Sequence, residues 1–78
     1  MNEISLSCLR TGDAAVVQAV HVYGGMRRRL RDLGLLPGSK IVCSRIAPSG
    51  SPMAFRLNGA MIALRVETCK RIRVKLCE

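Results

Sequence analysis

Four cysteines (Cys8, Cys43, Cys69 and Cys77), one histidine (His21) and five acidic residues are the side chains of this 78-residue chain best suited to hold a metal. No two of the cysteines form a C-x-x-C pair, and a zinc finger needs closely paired ligands. Ferrous iron favours imidazole and carboxylate groups, but there is a single histidine here and no two acidic residues stand close together. No nucleophile–base pair is suggested, and no G-x-x-x-x-G-K-[ST] phosphate loop occurs; Gly24-Gly25 alone is a weak signal. The expectation is therefore no catalytic residue, no cofactor and no metal site. Cys43 and Cys69 are expected to be small buried apolar residues, the usual fate of a free cysteine. Cys77 is expected to be exposed and open to oxidation or adventitious metal.

The other chemistry is positive charge. Thirteen Lys and Arg against five Asp and Glu give a net charge of +8, which suits an acidic partner: nucleic acid, an anionic membrane or an acidic protein face. Arginine is densest in RRRLRDLGLLPG, residues 27–38. Tyr23 and Phe55 are the only aromatics. That argues against stacking of single-stranded bases and against an aromatic groove for proline-rich peptides. The N-terminus carries no basic region followed by an apolar run, and no stretch approaches the roughly 18–20 apolar residues of a bilayer span. The expectation is a cytoplasmic protein without disulfides and without direct membrane insertion.

These residues must be positioned by a small scaffold. The length predicts one domain, residues 1–78, with a thin core, and an apolar content of 49% is ample for a folded one. AAVVQAVHVY, rich in β-branched residues, predicts a strand over 14–23. SKIVCSRI predicts a second over 40–46, with Ile41 and Cys43 inward. APSGSP (47–52) is a loop by composition. MAFRL alternates, placing Met53, Phe55 and Leu57 on one face. Asn58-Gly59 then signals a two-residue type I′ hairpin, because both central residues need positive φ. The return strand AMIALR puts Ile62 and Leu64 inward. VETCK is one helical turn, and RIRVKL a last strand with Ile72, Val74 and Leu76 inward. Five short strands and one helix predict an all-β fold, a compact barrel whose closure removes exposed edges.

Over residues 25–33 a helical wheel places Met26, Leu30 and Leu33 within a sector of about 60°. Arg27, Arg28, Arg31 and Asp32 lie opposite, and Arg29 borders the apolar stripe. This is an amphipathic helix too short to persist unless packed. Gly34 suits the left-handed position past its end, with Leu35 touching Leu30; Pro37 prevents continuation and Gly38 completes the turn. Arginines in a first turn oppose the helix dipole. An acidic partner surface, an anion held near Gly24-Gly25, or a solvated basic face would each account for them. Leu35 and Leu36 cannot both be buried easily in so tight a turn, so the expected partner-binding set is Arg27, Arg28, Arg31, Leu35 and Leu36.

In its order of segments the chain resembles the FeoA family of small bacterial proteins. The resemblance rests on RRRLRDLGLLPG (27–38), AP-x-G-x-P (47–52), NG-x-x-IALR (58–65) and the final strand. Asn58 stands where that family often has arginine, and Ala60 where a larger residue is common. The resemblance implies a small SH3-like five-stranded barrel with one inserted helix (about residues 25–33). It implies a non-catalytic cytoplasmic accessory of ferrous iron uptake, whose partner is the FeoB-type membrane permease with its G-protein domain. A small basic barrel binding nucleic acid is the alternative that the charge suggests. A short exposed strand edge leaves room for a weak homo-oligomer.

Overall fold

A computed structural model describes residues 3–77. Six strands form one antiparallel sheet: β1 (Glu3–Ser5), β2 (Ala14–Val20), β3 (Lys40–Ile46), β4 (Met53–Leu57), β5 (Ala60–Leu64) and β6 (Ile72–Leu76). Helix α1 (Gly25–Asp32) follows β2, and the single turn α2 (Val66–Cys69) precedes β6. A 3₁₀ turn at Leu6–Cys8 follows β1, with the Ser5 hydroxyl accepting the Ser7 N–H at 3.1 Å. The strand order is β1-β6-β2-β3-β4-β5.

Alternation produces the core. Met53, Phe55 and Leu57 of β4 are buried, as are Ile41 and Cys43 of β3 and Ile72 and Val74 of β6. Asn58 (φ 52°) and Gly59 (φ 79°) both adopt the left-handed backbone expected of the two-residue hairpin, which pairs Leu57 with Ala60. Register shifts at Gln18 in β2 and Ser44 in β3 each add an unpaired residue. Such bulges increase local twist. They let a six-stranded sheet coil around the core formed by Leu6, Val17, Ile41, Phe55, Ile72 and their neighbours.

Four expectations need correction. There are six strands, not five: β1 pairs with β6 from Glu3↔Lys75 to Ser5↔Arg73, and three residues are too few to show alternation. The sheet is not closed by hydrogen bonds, since β1 and β5 remain its two edges. β2 ends at Val20 rather than residue 23; the His21 N–H still reaches the Arg71 carbonyl at 2.8 Å before the chain leaves for α1. Leu76 is exposed, because β6 runs two residues past the core.

Cys43 and Cys69 are buried and Cys77 is exposed, as expected; Cys8 is exposed as well. Burial pushes the Cys69 thiol up to about 11, with a smaller push from Cys43, and raises Cys43 as well. Since the folded thiol releases its proton later than the unfolded one, its contribution is complete below about pH 8 and declines as pH rises toward 11. Urea denaturation at pH 8 and pH 11 should show wild type losing roughly 2–3 kcal/mol more than Cys69→Ala across that interval. Equal losses would place the thiol in water.

Candidate functional site

Helix α1 is preceded by Gly24, whose φ of 74° turns the chain out of the sheet, and no side chain caps its first turn. Leu30 is its single buried residue, 1% exposed. The Arg27 guanidinium folds back, Nη1 donating to the Val20 carbonyl and, at 3.4 Å, to that of Val22. Hydrogen bonds from a charged donor contribute about 1.5–3 kcal/mol, against roughly 0.3–1 kcal/mol for a cation facing the helix dipole. Arg27 is therefore held in the first turn by the end of β2. Arg28 and Arg31 have no ion-pair or hydrogen-bond partner for their side chains among the described residues. With Gly24, Gly25 and Arg27 they border an open depression of about 400 Å³.

The far end of α1 is a Schellman cap. The Leu35 N–H donates to the Leu30 carbonyl and the Gly34 N–H to that of Arg31, both at 2.9 Å. Gly34 has φ 96°, and a Cβ built there would lie 2.1 Å from Asn58 Nδ2, so the helix end abuts the β4–β5 hairpin. Ser39 Oγ donates to the Gly34 carbonyl at 2.6 Å, and the Gly38 N–H to that of Val17 at 2.7 Å. This network separates the two leucines. Leu35 is buried at 1% exposure, which removes it from the expected contact set, whereas Leu36 stands out at 42%.

A second correction concerns the apolar stripe. Met26 and Leu33 are 42% and 41% exposed, because only Leu30 of the three reaches the core. They border a groove of about 490 Å³ between α1 and β5, together with Met61, itself 51% exposed. Arg29 and Arg65 also line it. The periodicity identified the stripe but not its outlet, and Met61 was legible only as an outward residue of β5. His21 is exposed, and no group of three or more His, Cys, Asp or Glu side chains gathers among the described residues.

Comparison with known proteins bears on this arrangement. The FeoA domain model matches residues 4–76. The chain belongs to the FeoA family. A curated FeoA relative, the Fe(2+) transport protein A/Fe(2+) transporter FeoB fusion protein of Porphyromonas gingivalis, is 35% identical over 71 residues. That match covers 91% of this chain but only 8% of the much longer fusion protein. The solution structure of FeoA from Chlorobium tepidum superposes with a TM-score of 0.92 at 37% identity, covering 96% of this chain and 71% of that one. FeoA of Stenotrophomonas maltophilia, solved with zinc and described as an SH3 domain protein, superposes with a TM-score of 0.79 at 32% identity, covering 92% and 89%. The fold is thus the small all-β SH3-like domain of FeoA proteins, with its sheet left open.

Two measurements check how α1 is held. Leu30→Ala should cost about 2–4 kcal/mol in denaturant unfolding, and Leu33→Ala less than about 1. Gly34→Ala should cost about 1–3 kcal/mol, part of which Asn58→Gly relieves in a double-mutant cycle. Strict additivity would mean that the cap and hairpin do not meet.

Proposed function

We propose that this chain is a non-catalytic cytoplasmic accessory of ferrous iron uptake that docks on a FeoB-type permease or its G-protein domain. The observation that carries this reading is the relative in which a FeoA unit and the transporter FeoB are one polypeptide. Covalent fusion keeps two modules at an effective concentration of roughly millimolar. Such an arrangement is useful when the modules act on one another. No helix among the described residues is long and apolar enough to cross a membrane.

The docking face is the outer side of α1 and the turn after it. Arg28 and Arg31 offer two guanidinium groups without a partner among the described residues, and Leu36 lines a small recess with Arg31 on a turn fixed by Ser39 and Gly38. Arg27 positions this face more than it contacts the partner, since its guanidinium is engaged with β2. An exposed leucine flanked by arginine matches the composition of protein interfaces, in which arginine is enriched. The net charge of +8 would also serve a nucleic-acid binder; duplex DNA bound tightly at near-physiological salt would favour that reading instead.

The double variant Arg28→Glu/Arg31→Glu should fold normally, since both side chains lie in solvent. Its capture by the detergent-solubilised permease should fall by about tenfold or more, with ferrous iron uptake reduced in parallel. Unchanged capture and uptake would remove the basic face from the account.

A further inference from the structure

The groove between α1 and β5 touches five residues in a row, Met61 to Arg65. Successive side chains of a strand point to opposite faces, so a cavity that meets consecutive residues meets the strand along its edge. β5 is the last strand in the sheet order. No backbone group of Ala60–Ala63 bonds outside the ladder with β4 among the described residues. Soluble proteins blunt such edges with proline, inward charge, a bulge or extreme shortness. The opposite edge, β1, is only three residues long. β5 has none of these protections: its sequence is AMIAL, and its register with β4 runs unbroken from Leu57↔Ala60 to Met53↔Leu64.

Resting on the docking reading above, we infer that the free edge of β5 accepts an extended segment of the partner as a seventh strand, with apolar side chains alternating with carboxylates. Main-chain hydrogen bonds to β5 supply the attachment, and pockets for alternate side chains supply the choice of sequence. The apolar side chains enter the groove against Met26, Leu33 and Met61; the two thioethers are flexible enough to fit more than one aliphatic shape. The carboxylates face Arg29 and Arg65, which line the groove and have no ion-pair partner among the described residues. Charge also decides against a second copy of this chain as the occupant. Each copy carries +8, and edge-to-edge pairing would bring the arginines of one groove rim near those of the other.

The test titrates the isotope-labelled full chain with an acetylated, amidated octapeptide alternating leucine and glutamate. Saturable binding is expected, with amide shifts concentrated at residues 60–65 and methyl shifts at Met26, Leu33 and Met61. Lysine in place of glutamate should weaken it at least tenfold, as should backbone N-methylation on alternate residues in one of the two registers. The variant Leu33→Glu/Met61→Glu, altered only at exposed positions, should lose the octapeptide and also capture by the permease. Equal affinity for both N-methylated peptides, or no saturable binding, overturns strand addition. If the permease captures wild type and this variant equally, the groove is not the docking site, although the docking reading stands. If the octapeptide binds but the permease captures neither protein, the acceptor edge stands and the permease is removed as its source. A concentration-dependent dimer in sedimentation that the variant abolishes assigns the edge to a second copy and overturns the inference.

Discussion

The burial of one leucine decides what the surface of this protein can be. A helix of eight residues is far below the length at which helices persist alone in water, so α1 exists because Leu30 is driven into the sheet core. Full burial of a leucine contributes about 1.5–3 kcal/mol. The Schellman cap at Gly34 and the return of Arg27 to the end of β2 then fix the two ends of the helix. With three points of attachment, α1 has neither freedom to rotate nor a second residue to bury. Arg28 and Arg31 face water on one side, and Met26, Arg29 and Leu33 border a groove on the other.

The same constraint explains why Met26, Leu33 and Met61 border an open groove instead of packing together. A longer helix, or one with two core contacts, would press its stripe against β5 and close the cavity. Here the close approach of Gly34 to Asn58 sets the spacing between the helix end and the β4–β5 hairpin. Core, cap and hairpin thereby hold two distinct surfaces a fixed distance apart: a basic one on the outside of α1, and an apolar one rimmed by Arg29 and Arg65 along β5. Both favour an acidic partner, in keeping with the charge of the whole chain. FeoA membership gives that partner a candidate, because one relative carries its FeoA unit in the same polypeptide as the transporter FeoB.

Much of this was legible in the sequence wherever the determinant was local. Asn58-Gly59 specified a two-residue hairpin, alternation specified which residues of β3 and β4 face inward, and Gly34 with Pro37 specified where α1 stops. Determinants separated along the chain were not legible. β1 is three residues long and is defined only by β6 at the other end of the sequence. Closure of the sheet depends on the accumulated twist of six strands and two bulges. The wheel grouped Met26, Leu30 and Leu33 correctly, but which of them reaches the core depends on where the sheet lies. Arg27 is separated from Arg28 and Arg31 in the same way, by the position of the Val20 carbonyl at the end of β2 and the Val22 carbonyl just beyond it. The groove needed both α1 and the open edge of β5, and expecting a closed barrel concealed it.

The central claim is that α1, pinned by Leu30, presents the surface through which the protein meets a FeoB-type permease. Hydrogen–deuterium exchange of the chain, free and bound to the detergent-solubilised permease, tests it most directly. The account predicts added protection in residues 26–36 and along β5, with the β1–β6 edge unchanged. Protection confined to the β1–β6 edge, with α1 exchanging at its free rate, would contradict it.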